Sequence, residues 1–228
     1  MNSVHFRRAL GLLGVSLLPQ LASAQITSTF DASLEGWSGQ GGAVSYVPSG
    51  GNGGGFLQQQ DTDGTWMTVY APAAFLGNLS SLLGGTLSFD AKNVNNAAPD
   101  LSSAPWFGTV TIVGAAATAS LAIAGSGPGL PLADGSWHRF AAPLTAANWS
   151  GDLAAALSDV TALSVVLEFN DTTGAEVAGF DNFDISPVAE PSTAGLLGAG
   201  LAAVTLLRRR AWLKARRPLR ERREAVRR

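Results

Sequence analysis

Ten short runs rich in β-branched and aromatic residues, each closed by Gly, Pro, Asn or Asp, restrict this chain to one class of fold. The runs are Ile26 to Phe30, Val44 to Val47, Phe56 to Gln60, Trp66 to Tyr70 and Thr86 to Ala91. They continue with Phe107 to Val113, Thr118 to Ile123, His138 to Ala142, Leu163 to Phe169 and Phe180 to Ile185. Within Thr86-Leu87-Ser88-Phe89-Asp90 polar and apolar residues alternate, the period of a strand with one buried face. Gly50 to Gly55, Asn93 to Pro99 and Gly125 to Pro131 read as loops, the first a flexible one, and only Leu153 to Leu157 reads as a helix. Many short strands with glycine-rich turns and almost no helix predict an all-β protein, a β-sandwich or jelly roll.

Both ends of the chain stand apart from that pattern. Residues 1–24 read as a secretory signal peptide: Arg7 and Arg8, an apolar stretch from Ala9 to Leu18, then Ala22-Ser23-Ala24 as the cleavage site before Gln25. The arginine pair leaves twin-arginine export open beside ordinary secretion. At the other end, Ser192 to Leu207 is uncharged and is followed at once by Arg208-Arg209-Arg210. Sixteen helical residues span about 24 Å, and arginines snorkelling to the headgroups extend that reach toward a membrane's hydrocarbon core. The arginines orient such a helix with residues 208–228 cytoplasmic and the bulk of the chain outside. The expected organisation is therefore a signal peptide (1–24), one β-domain (25–187) and a C-terminal tail (188–228) with a transmembrane helix over about 192–207.

Charge and composition exclude several functions. Between Gln25 and Pro187 there are 14 acidic residues against Lys92 and Arg139, so this domain repels phosphate backbones and is not expected to bind nucleic acid. The chain has no cysteine, which removes thiol nucleophiles and thiolate metal sites. The glycine run at 50–55 lacks the lysine and following helix of a phosphate loop. His138 is the one histidine after residue 24, and its neighbour Ser136 has no nucleophile-elbow context. No catalytic residues are assigned, and an enzyme is not expected. An acid-rich, cysteine-free exported domain does offer oxygen ligands for calcium, and Asp61-Thr62-Asp63-Gly64 is one acidic turn of that kind.

Val188-Ala189-Glu190-Pro191, the apolar run and the arginine cluster together resemble the PEP-CTERM sorting signal, with Ala189 standing where the motif has its first proline. The resemblance implies recognition by an exosortase, a membrane protease-transpeptidase, and delivery to the cell surface or exopolysaccharide matrix. Trp66 to Phe89, with Ala71-Pro72, Phe75-Leu76-Gly77-Asn78 and Gly84-Gly85, resembles the laminin B domain (laminin domain IV). Gly36-Trp37, Trp137 and Phe180-Asp181-Asn182-Phe183-Asp184-Ile185 extend that likeness over most of Phe30 to Ile185. It implies a non-catalytic jelly-roll domain of the kind carbohydrate-binding modules also use, with an adhesive or scaffolding role. By the same likeness a structural calcium ties the first strand to the last, with Asp31 and Asp181 as ligands and Glu35 assisting. Trp106 and Trp149, in loop-like surroundings, are the candidates for an exposed platform that stacks on sugar rings, the alternative role being a module that retains the protein in exopolysaccharide. A polysaccharide hydrolase is the third reading, because paired carboxylates serve that chemistry. The ordered signal regions predict that the surface-exposed protein begins at Gln25. N-terminal sequencing that finds Met1 on the exported chain contradicts this.

Overall fold

The computed structural model describes residues 24–125, 130–188, 198 and 200–210, and within them the chain folds as two antiparallel sheets packed face to face. The first sheet contains β1 (Ile26–Ser28), β3 (Gly42–Val47), β4 (Phe56–Asp61), β6 (Thr86–Asn93), β9 (His138–Pro143) and β12 (Val177–Ser186). Its order is β3-β4-β12-β6-β9, with β1 also pairing with β12. The second sheet runs β10 (Ser150–Gly151), β8 (Thr118–Ala122), β7 (Thr109–Gly114), β11 (Val160–Val166), β5 (Thr68–Tyr70) and β2 (Ser38–Gln40). One short helix, α1 (Leu153–Leu157), lies between β10 and β11, capped by the Asp152 carboxylate accepting from the Ala155 amide. Residues 200–210 are helical and exposed throughout.

Alternation explains the inner faces. In β6, Leu87, Phe89 and Ala91 enter the core, and in β11 so do Leu163 and Val165. Trp37 is the hub of the aromatic packing. Its ring centroid lies 5.0 Å from Phe183, 5.2 Å from Phe180, 5.7 Å from Phe75 and 6.0 Å from Phe30. Its indole N–H donates to the Ser28 hydroxyl at 2.9 Å, so the buried polar edge of the ring is satisfied. One side chain thus joins the turn after β1, the 3-10 turn Ala73–Phe75 and the last strand.

The Trp66 to Phe89 segment follows its composition with one difference. Pro72 ends β5 and leads into the turn Ala73–Phe75, while a second 3-10 turn, Ser80–Leu82, leads to Gly84-Gly85 and β6. Gly84 has φ +86°, the left-handed geometry glycine tolerates, but Gly85 is needed for a different reason: a Cβ there would collide with the Ser186 carbonyl. The two strands without a sequence signal, β2 and β10, have no apolar side chain to advertise them.

Ala22, the expected signal peptide before Ala24, the Ala189-Glu190-Pro191 motif, residues 192–197 and 199 of the 192–207 span, and residues 211–228 lie outside the described residues. Ala24 and Gln25 are exposed at the start of the domain, and the Gln25 side chain donates to Asp184 of β12 at 2.6 Å. Truncating the aromatic hub, Trp37→Ala, is expected to cost about 3–5 kcal/mol of folding stability by opening a cavity and stranding the Ser28 hydroxyl. Chemical denaturation of the variant measures it, and a loss below about 1 kcal/mol contradicts the hub assignment.

Candidate functional site

Strand β12 is flanked on one side by β6 and on the other by two strands in succession. β4 covers Val177 to Phe180 and β1 covers Phe183 to Ile185, which leaves a seam at Asp181 and Asn182. Opposite the seam the register with β6 shifts: Asp181 faces Asp90 and Asp184 faces Ser88, so β12 holds one extra residue there. This is a β-bulge, with Asn182 in the left-handed region at φ 47°.

The glycine loop between β3 and β4 packs onto the seam. A Cβ on Gly51 would sit 2.8 Å from the Asp181 carboxylate, and one on Gly54 would collide with the Asp31 carboxylate. What composition presents as a flexible connection is therefore a close-fitting lid over two acids. The Asn52 amide donates to Asp181 Oδ2 at 2.7 Å and the Asn182 amide to Oδ1 at 2.7 Å. The side-chain amides of Asn52 and Asn182 both donate to Asp90 Oδ2, at 2.8 and 2.9 Å. Asp90 Oδ1 has no hydrogen-bond partner, with the Arg139 guanidinium 3.8 Å away. Burial pushes the Asp181 carboxyl up to about 6; the charges of Asp90 and Asp31 add to the rise while the two backbone amides oppose it.

The three residues expected to bind calcium are thus treated unequally. Asp31 and Asp181 meet at the glycine loop. Glu35 is exposed and its carboxylate accepts from the Phe30 amide at 2.7 Å, closing the turn after β1. The acid that joins Asp181 in the buried seam is Asp90, which lies directly across the ladder in β6.

Among the described residues, one group brings three acidic ligand oxygens within 4.8 Å of one another: Asp61, Glu168 and Glu176. This cluster of buried acidic residues has the makings of a metal site. Asp61 ends β4, Glu168 follows β11, and Glu176 immediately precedes β12, so the cluster joins the two sheets. All three are buried, Glu176 completely. Asp61 accepts from the amides of Asp63 and Gly174, Glu168 Oε2 from Met67 at 2.7 Å, and Glu176 Oε1 from Phe169 and Asn170 at 3.5 and 3.3 Å. Glu176 Oε2 has no partner. Burial raises the Glu168 carboxyl to about 7; burial and then the Glu168 charge raise Glu176 to about 8. Sequence reading singled out the Asp61 turn but not the glutamates. The signal available was Glu168 itself, a charge set between Leu167 and Phe169 in an otherwise apolar run.

The tryptophans divide differently from expectation. Trp149 is 5% exposed, packs in the core and donates its indole N–H to the Pro143 carbonyl at 3.0 Å, so it offers no free face. Trp106 is partly exposed, and so is Trp66, which sequence reading did not choose. Their backbones flank the end of β11: Leu167 bonds to the Met67 carbonyl and the Gly108 amide bonds to Val166. Trp137 lies against Phe56, with Lys92 5.9 Å from its ring centre. His138 is partly exposed and hydrogen-bonded to Asp134 at 3.0 Å.

No protein-family profile and no curated protein matches this chain in sequence. Among solved structures, the L4b domain of human laminin alpha-2 matches with a TM-score of 0.55 at 11% identity, over 74% of this chain and 98% of that domain. The family 11 carbohydrate-binding module of Clostridium thermocellum, solved with a beta-1,3-1,4-mixed-linked tetrasaccharide, matches at 0.46 and 16% identity, over 74% of this chain and all of that one. The xylan-binding CBM22-1 domain of Paenibacillus barcinonensis matches at 0.39 and 14% identity, over 76% and 100%. The laminin likeness establishes the fold of the domain: an all-β sandwich with the architecture of laminin L4b.

Proposed function

We propose that this chain is an exported, non-catalytic protein of the cell surface or exopolysaccharide matrix, with a structural or adhesive laminin B-like sandwich and an exosortase-type sorting tail. The observation that carries the reading is the helix over residues 200–210. Every described position of it is exposed, including Leu201, Val204, Leu206 and Leu207, and it carries Arg208-Arg209-Arg210 directly after them. Bare leucines in water forgo about 1.5–3 kcal/mol each of burial free energy, and a bilayer supplies that burial. No helix among the described residues is long and apolar enough to cross a membrane; residues 200–207 form the C-terminal part of the 192–207 span read from sequence. Glu190-Pro191 ahead of the span, and the signal peptide at the other end, support processing by a sorting enzyme. Deleting residues 192–228 is expected to release the protein from the envelope into the periplasm or medium. Fractionation that finds the truncated chain still envelope-bound removes the tail as the anchor.

A carbohydrate-binding role is the second reading, favoured by the partly exposed Trp66 and Trp106 at one end of the second sheet. Trp106→Ala should weaken co-sedimentation of the exported protein with the host's exopolysaccharide by about tenfold or more, the usual loss for a stacking tryptophan. Unchanged co-sedimentation, or none in the parent protein, leaves the adhesive reading alone.

In the same reading a calcium ion bridges Asp31 and Asp181 across the seam. The charges of Asp90 and Asp31, which raise the Asp181 carboxyl, support it. A ligand at a hundredfold excess over its Kd stabilises the native state by about 2.7 kcal/mol. Calcium is therefore expected to raise the melting temperature of the chelator-treated protein by several degrees, and magnesium by less. Asp181→Ala should remove one bound calcium per chain together with its share of the shift; an unchanged calcium count rejects the seam site.

A further inference from the structure

We propose that Asp61, Glu168 and Glu176 form a second cation site, for a hard divalent ion of the calcium type, that clamps the two sheets together at the end of the sandwich away from the Asp181 seam. The site is separate from the first. Glu176 precedes Asp181 by five positions along β12, about 17 Å at the rise of an extended strand.

Four observations converge on it. One oxygen from each carboxylate lies within 4.8 Å of the others, a spread that bonds of about 2.3–2.6 Å to a common calcium can span. The donor set is purely carboxylate, which selects hard cations over zinc or copper. Glu176 is fully buried and its Oε1 is occupied by the Phe169 and Asn170 amides, so the unpartnered Oε2 is the oxygen left to meet Asp61 and Glu168. No cationic side chain compensates: the ion pairs among the described residues are His138–Asp134 and Arg139–Asp90, both elsewhere. Three buried carboxylates with one bare oxygen and no counter-charge are costly unless a cation or protons neutralise them.

The backbone around the cluster gives the ion a structural consequence. The acids are fixed by amides of two segments: Asp61 by 63 and 174, Glu168 by 67, Glu176 by 169 and 170. An ion shared by the three therefore locks the 61–67 and 168–176 segments to one another, and with them the turn that carries Trp66. The rival account is a proton shared by Glu168 and Glu176, which needs no metal.

The test uses the full-length chain, stripped with chelator and titrated with calcium chloride, with metal content per chain and hydrogen exchange as readouts. Glu176→Gln keeps the oxygen that the Phe169 and Asn170 amides use while removing the charge, and Asp61→Asn serves if that variant does not fold. The expected result is one calcium fewer per chain in either variant, and faster exchange of 61–67 and 168–176 on chelation. Asp181→Ala should still bind calcium, and its combination with Glu176→Gln should bind none. If Glu176→Gln and Asp61→Asn bind as many ions as the parent chain, or chelation leaves exchange in both segments unchanged, the site is a proton-sharing pair and the proposal falls. The two sites fail separately: a parent chain that binds one ion and loses it only in Asp181→Ala rejects this site, while one that loses it only in Glu176→Gln rejects the seam.

Discussion

Six carboxylates, Asp61, Asp90, Glu168, Glu176, Asp181 and Asp184, are buried in a domain whose only cationic side chains between residues 25 and 187 are Lys92 and Arg139. Desolvating a charge costs several kcal/mol unless it is paired, so their placement constrains much of the rest of the structure. The chain meets most of the demand with backbone amides. Asp181 receives those of Asn52 and Asn182, Glu168 that of Met67, and Glu176 those of Phe169 and Asn170. Amides can be delivered in that way only by loops bent to fit, which is why the glycine loop lies against Asp181 and why β12 is bulged at Asn182.

The free energy that offsets this burial comes from the aromatic core. Trp37 joins Phe30, Phe75, Phe180 and Phe183, and a second group of rings, Phe89, Phe107, Phe140 and Phe169, continues from Phe180 through Phe89. Edge-to-face contacts such as Phe75 with Phe183 at 5.1 Å suit the quadrupoles of the rings as well as their area. With no disulfide available, this packing helps hold first and last strands in one core, and Trp37 links them by donating to Ser28 of β1 while packing on Phe183 of β12.

The apolar half of this arrangement was legible in the sequence because it is written in local period. Leu87, Phe89 and Ala91 alternate with polar residues, Leu153 to Leu157 is bounded by its Asp152 cap, and Gly36-Trp37 marks the hub. The strands β2 and β10 were not, because Ser-Gly-Gln and Ser-Gly carry no apolar side chain to mark a buried face. Trp149 misled for the same reason: its neighbours look like a loop, and only the tertiary fold shows its indole turned to the Pro143 carbonyl. At the seam, Asp31 and Asp181 came from resemblance, while Asp90 went unnoticed because register, which no local pattern records, sets it opposite Asp181. Glu176 was invisible for a further reason. Its partners are more than a hundred residues away at Asp61 and eight away at Glu168, and neither spacing is that of a known ligand motif.

β12 connects these facts. Its inward residues Ala178, Phe180, Phe183 and Ile185 build the core, while Asp181 and Asp184 on the strand and Glu176 just before it carry the charge. A central strand flanked on both edges has no need of acids to hold its place, since apolar side chains under the same loops would remove the desolvation cost altogether. Acids at a break between flanking strands, and again where the two sheets meet, instead make closure of the sandwich conditional on whatever neutralises them. In a domain that lacks both disulfides and basic residues to spare, a cation is the natural agent, and the unpartnered Glu176 Oε2 sits at the second of those junctions.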